Sequence, residues 1–214
     1  MNNIIGVIVS FIYYFLLIFA SKRIRHVEYS RKFVHIMLGN WWYIVISVFS
    51  NVLYAAIVPF FFIFVNYYSL KKPSGFLQNL ERTNSKSYGL VLYPLSLVIM
   101  VIASYATEKP YFGGIGVMAL AYGDGFAALI GSKFSYCEYK IWGKRKTLTG
   151  SLAMLLFSFM SICILFIVAG VKIYSLPLVA VCLVATIVEA ITPLGFDNIS
   201  IPLVAVVTYS LLVC

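Results

Sequence analysis

Long apolar runs separated by short polar stretches repeat along the whole chain. Runs near 20 residues with few charges read as membrane-spanning helices. The pattern predicts spans over about 4–20, 33–49, 52–70, 88–105, 112–132, 149–169, 176–192 and 199–213. The second and third are separated only by a tight turn at Ser50-Asn51. The first run lacks a basic leader and a small-residue cleavage site, and Lys22, Arg23 and Arg25 follow it at once. It reads as a retained span, not a signal peptide. The expected fold is all-α: one polytopic integral membrane bundle over 1–214, with seven or eight transmembrane helices.

Composition agrees. The chain is 62% hydrophobic and only 11% charged, against about 25% charged in soluble domains. Its mean hydropathy is +0.97. Four scattered cysteines, Cys137, Cys163, Cys182 and Cys214, show no metal-binding spacing. They read as small apolar side chains.

The net charge of +9 reads as topology rather than as a nucleic-acid surface, because the cations sit at span ends. One basic loop holds Lys22, Arg23, Arg25, Arg31 and Lys32; the next holds Lys71, Lys72, Arg82 and Lys86. The third holds Lys133, Lys140, Lys144, Arg145 and Lys146. Only Lys109 and Lys172 fall in the alternate loops. The positive-inside rule then puts both termini outside and the three basic loops in the cytoplasm. The turn 193–198 falls on the same side. The expected setting is a bacterial or archaeal plasma membrane.

Against this background a few polar residues stand out. Asp124 lies inside the fifth span between Gly123 and Gly125. A charged side chain there costs roughly 2.5–3.5 kcal/mol on insertion scales, and such residues usually face a cation or substrate. The glycines are expected to let a ligand or metal approach. With no partner visible in the sequence, replacement by Asn is expected to relieve a burial cost. Glu189 lies inside the seventh span, and Pro193 ends that helix. Ser200 is expected to cap the last helix, leaving Asp197 and Asn198 as turn residues.

Two basic segments accompany these acids. Arg31, Lys32 and His35 share one helical face at the start of the second span. Lys144, Arg145 and Lys146 precede Thr147, Leu148, Thr149, Gly150 and Ser151, which open the sixth span. Thr147 or Thr149 can cap that helix, whose N-terminus favours an anion. The segment is not a Walker A loop, since Glu138 stands where its first glycine would be. Three carboxylates, several cations and a helix N-terminus at one face are the parts of phosphoryl transfer: acids for Mg²⁺, cations for phosphates. A membrane location implies a lipid partner.

Four segments, RKFVHIMLG (31–39), YGDGFAALIGSKF (122–134), KRKTLTGSLAM (144–154) and EAITPLGFDNISIPL (189–203), resemble the CTP-dependent polyprenol kinase family. That family includes dolichol, phytol and farnesol kinases and a CTP-dependent diacylglycerol kinase, and the likeness is strongest to the phytol kinase branch. It implies an enzyme that transfers the γ-phosphate of CTP, with Mg²⁺, to the hydroxyl of an isoprenoid alcohol or related lipid such as diacylglycerol. It implies nucleotide or catalytic roles for Arg31, Lys32, Asp124, Gly131, Lys146, Thr147 and Gly150, and a polar site at Glu189, Asp197 and Asn198. The expected catalytic set is Asp124, Lys146 and His35, and the expected metal set Asp124, Glu189 and Asp197. Nucleotide contacts are expected from Arg31, Lys32, Gly123, Gly125, Gly131, Lys144, Arg145, Thr147, Thr149, Gly150, Ser151 and Asn198. Ser132 and Ser135 stand where the family usually has Arg and Gly. A membrane cytidylyltransferase of the CDP-diacylglycerol synthase type shares an acidic motif and a KT-x-x-G turn, but its C-terminal DR-x-D signature is absent. A transporter with a midplane site fits less well, because the polar residues gather at one face.

Overall fold

The computed structural model describes residues 2–71, 88–141, 144–193 and 195–213. The basic-loop residues Lys72, Arg82 and Lys86 and the cysteine Cys214 lie outside the described residues. The helices are α1 (Asn3–Ser21), α2 (Val27–Gly39), α3 (Trp41–Val48), α4 (Val52–Lys71), α5 (Gly89–Ala106), α6 (Phe112–Met118), α7 (Gly125–Lys133), α8 (Leu148–Ala169), α9 (Ser175–Ile191) and α10 (Asp197–Val213). Among the described residues, five helical stretches are long and apolar enough to cross a membrane, one of them Phe112–Lys133 taken as a whole. The 17-residue helices α9 and α10 stand at the lower limit for a span. The outer faces carry Phe19, Phe64, Ile167 and Leu211 exposed. Such surfaces suit hydrocarbon, not water. The chain is an all-α polytopic membrane bundle.

The stretch Phe112–Lys133 is the most buried of the five and forms the axis of the bundle. Its glycines admit the neighbours: a Cβ on Gly113 would lie 2.2 Å from the Met100 carbonyl oxygen, and one on Gly116 2.6 Å from that of Pro202. Between α6 and α7 the residues Ala119–Asp124 form a π-helical segment. Wide turns of this kind occur mostly at functional sites. Asp124 is its last residue.

The expected span 33–49 is two helices meeting at Asn40. The Tyr122 hydroxyl donates to Asn40 Oδ1 at 2.5 Å, and the Tyr13 hydroxyl to the Met37 carbonyl at 2.6 Å. Trp41 and Trp42 behind the joint are fully buried, their indole N–H groups donating to Ser10 Oγ and the Pro110 carbonyl. α2 begins at Val27, earlier than the apolar run suggests, because its polar residues find partners; Arg31 pairs with Glu28 at 2.8 Å.

The loop after α7 contains an antiparallel hairpin, β1 (Glu138–Ile141) and β2 (Lys144–Thr147). Glu138 stands opposite Thr147 and Lys140 opposite Arg145. This register puts Glu138 diagonally across from Arg145 on one face, where the two side chains form an ion pair. The hairpin lies at the same end of the bundle as the start of α2 and the α9–α10 turn. A Cβ on Gly195 in that turn would come within 3.2 Å of the Gly89 amide nitrogen.

Candidate active site

The Lys32 ammonium donates to Asp124 Oδ2 at 2.7 Å. His35, one turn along α2 from Lys32, brings Nε2 within 3.2 Å of the same oxygen and 3.1 Å of the Leu120 carbonyl. Both neighbours are acceptors, so Nε2 is the nitrogen that carries the proton. Asp124 and Lys32 are only 8% and 7% exposed. At that burial each ion requires the other, since an uncompensated buried charge costs several kcal/mol. The partner expected for this aspartate is a metal-bound nucleotide, and the chain itself supplies one in Lys32. Tyr93 on α5 buttresses it: its hydroxyl donates to the His35 carbonyl at 2.9 Å, and its ring meets the imidazole edge-on.

Gly123 and Gly125 do not open space for a ligand. A Cβ on Gly123 would lie 2.2 Å from Ser158 Oγ on α8, and one on Gly125 2.3 Å from Ile36 Cγ1 on α2. They serve close helix packing, and that packing delivers α2 with Lys32 and His35 to Asp124.

The hairpin carries the second cluster. Thr147 caps α8, its Oγ1 accepting from the Gly150 N–H at 3.0 Å. The Leu148 N–H is bonded to the Tyr136 and Cys137 carbonyls. Two of the N–H groups expected to bind an anion are thus occupied, and the cationic chemistry here belongs to side chains. Lys146 bonds the Glu189 carboxylate and, at 3.1 Å, its carbonyl. Burial works against the Lys146 charge, but Glu189 outweighs it, with Asp124 and Asp197 adding, so its pKa lies above the ordinary lysine value. Tyr139 and Ser151 share a hydrogen bond of 2.8 Å. Thr149 turns to the Phe134 carbonyl and to Thr147 Oγ1, away from the cavity. Gly131 and Gly150 face each other across the α7–α8 contact, where a Cβ on Gly131 would meet Thr147 Oγ1 at 2.7 Å.

The third cluster differs from expectation. Asp197 and Asn198 open α10 instead of forming the turn before it, and Ser200 lies inside the helix. A carboxylate in the first turn suits the helix dipole. Asp197 Oδ1 also accepts from the Asn198 amide at 2.8 Å and backbone N–H at 2.9 Å. The Ser200 hydroxyl instead shares a bond with Thr192 at 3.1 Å.

These clusters line one cavity of about 570 Å³, within the usual range for small-molecule sites. Arg31, Lys32, His35, Asp124, Gly131, Arg145, Lys146, Thr147, Gly150, Ser151, Glu189, Asp197 and Asn198 all border it. Gly123, Gly125 and Thr149 do not appear in its wall, and the side chain of Lys144 lies outside the described residues. Arg31, one of the residues that border the cavity, has its Nε buried with no hydrogen-bond partner. Among the described residues, no three of His, Cys, Asp or Glu stand together as a metal cage. The sequence reading missed Tyr14, Phe62, Tyr93 and Leu97, which border the cavity from α1, α4 and α5. Nothing distinguishes them locally from any other residue of an apolar span.

The chain is 32% identical over 183 residues to the phytol kinase of Synechocystis sp., covering 82% of this chain and 76% of that protein. The chain belongs to the phytol kinase branch of the polyprenol kinase family. Within that branch, the probable phytol kinase 1, chloroplastic, of Glycine max is 34% identical over 197 residues, covering 81% of this chain and 63% of its own length. The phytol kinase 1, chloroplastic, of Arabidopsis thaliana is 30% identical over 197 residues, covering 83% and 64%. No family model and no solved structure matches the chain.

Proposed function

We propose that this protein transfers the γ-phosphoryl group of CTP to the hydroxyl of phytol or a closely related isoprenoid alcohol. Family membership makes it a lipid alcohol kinase with a nucleotide donor. The observation that carries the reading further is the single cavity, which joins the Lys32–Asp124–His35 cluster, the hairpin cations and an apolar wall. The chain forms one membrane domain, and the end carrying the hairpin faces the cytoplasm, where the nucleotide is.

Arg31, Arg145 and Lys146 neutralise the phosphate chain, and Asn198 and Ser151 add polar contacts. Lys32 and His35 both address Asp124 Oδ2, leaving Oδ1 to meet the acceptor hydroxyl. A bond forms between the alcohol oxygen and the γ-phosphorus as the bond to the β-bridging oxygen breaks. CDP leaves, and the hydroxyl proton passes to Asp124. Little else is asked of the protein than positioning and charge stabilisation.

Mg²⁺ on a nucleotide needs oxygen donors, commonly one or two carboxylates beside the phosphates. Asp197 borders the cavity and offers that chemistry, while Glu189 is tied to Lys146 and Asp124 is engaged by Lys32, His35 and the acceptor. The donor set fits an ion carried in by the nucleotide rather than one held in a dedicated cage. When bound, the ion would neutralise charge on the phosphates.

Labelled CTP tests the reading. Protein in vesicles with phytol should move label from γ-labelled CTP, but not from α-labelled CTP, into the organic phase. Transfer of the α label alone would make the protein a cytidylyltransferase.

A further inference from the structure

The cavity has a second arm that the ionic groups do not use. It runs between α1, α2, α4 and α5 and is walled by Ile18, Val34, Leu90 and Pro94. On each helix the lining residues step inward by about one turn: Ile18 to Tyr14, Val34 to Leu38, Asn66 to Phe62, Pro94 to Leu97. From the hairpin end, nothing beyond Tyr14, Leu38, Phe62 and Leu97 on these helices borders the space. These four therefore form its inner end. The Tyr14 and Phe62 rings stack there at 4.7 Å. At 1.5 Å per residue the step from Pro94 to Leu97 is about 5 Å, and the whole cavity from Gly89 to Leu97 is about 12 Å deep along α5.

We infer that this arm receives the hydrocarbon tail of the acceptor, with the tail reaching toward Tyr14 and Phe62 and the hydroxyl at His35 and Asp124. The inference rests on the kinase reading and adds where the acceptor lies and which residues select it. Three observations carry it. The arm opens into the ionic site, with His35 at the junction: its ring packs on Tyr93 while Nε2 meets Asp124. α1 and α4 are the least buried of the five long helices, so the arm lies at the periphery, where a guest arrives from the bilayer. The inner end offers no charge. The one hydroxyl at that end, Tyr14 Oη, is buried without a hydrogen-bond partner, and a guest with no polar atom in its tail leaves it so.

Two substitutions of opposite sign test the assignment. Phe62→Trp shortens the arm, and the ratio of kcat/KM for phytol to that for a five-carbon prenyl alcohol should fall at least about tenfold, the scale of losing methylene contacts. An equal loss with both alcohols would overturn the assignment. Tyr14→Phe removes the unpartnered hydroxyl, and the phytol KM should equal that of the wild type or fall. A raised phytol KM would place the alcohol oxygen, not the tail, at this wall and would also overturn it. Binding of radiolabelled phytol to the purified proteins separates this from the kinase reading. If the wild type transfers no γ-phosphate, the kinase reading fails, while weaker phytol binding by Phe62→Trp still reports the tail. Should Phe62→Trp not fold, the conservative Tyr14→Phe decides.

Discussion

Asp124 and Lys32 act as one unit, and the effect of changing either follows from that. Asp124→Asn removes the carboxylate proposed to meet the acceptor and should lower turnover by at least about 100-fold. Alone, the aspartate would be expected to gain stability from the change. The ion pair reverses that sign, because Asn leaves the Lys32 ammonium buried against a neutral amide. Breaking a buried pair from one side costs about 3–5 kcal/mol. Asp124→Asn should therefore unfold at a lower temperature in detergent, and Asp124→Asn with Lys32→Met should recover stability without recovering turnover. Thermal unfolding and lipid phosphorylation at matched folded amounts measure the two effects. Near-normal turnover in Asp124→Asn would make the aspartate structural. Asp124, Glu189, Lys32 and His35 were all legible in the sequence, because polar groups in apolar runs are conspicuous. Their pairing was not, since Lys32 and Asp124 meet across 92 positions and only the folded packing of α2 on α7 joins them.

At the scale of elements, the apolar runs marked the long helices, and the two irregular pieces escaped. Each hairpin strand has four residues, too few for alternation to show. Its cross-strand ion pair, Glu138 with Arg145, depends on a register that no local pattern states. The π-helical segment escaped because Ala119–Ala121 are buried on every side, so the run carries no phase. The hairpin has a testable task. Thr147 fixes its junction with α8 by capping Gly150, and loss of such a cap costs about 1 kcal/mol. Thr147→Val should reduce thermal stability by that order and raise the KM for CTP while leaving the KM for phytol in place. A rise in the phytol KM alone would show that the hairpin serves the acceptor rather than the nucleotide.

For the whole molecule the decisive quantity is the distribution of cations. Lys109 and Lys172 lie at one end of the bundle, while Lys133, Lys140, Arg145 and Lys146 lie at the other, the last two bordering the cavity. In the proposed orientation, which follows the positive-inside rule, the second end faces the cytoplasm. Single cysteines at Lys140 and Phe196, in a cysteine-free background, should resist an impermeant reagent outside intact cells, whereas cysteines at Lys109 and Lys172 should react. Phe196 is the better probe of its turn than Gly195, whose φ of +85° would strain any side chain. Labelling of Lys140→Cys from outside would invert the orientation.

The wide turn before Asp124 also sets a clock for everything after it. Successive α-helical residues advance by about 100°, whereas a π-helical turn takes up more residues for the same rotation. Loss of one residue within Ala119–Tyr122 would let the stretch close with little change of phase, but closing it into an ordinary helix with every residue kept would rotate Gly125–Lys133 by about that angle. Gly131 would then turn away from Thr147 and Gly150, which it now meets closely, and the hairpin would lose its seat on α7. Asp124 and the hairpin are thus kept in angular phase by the width of this one turn, which a change that favours an ordinary helix at full length disturbs more than a deletion does.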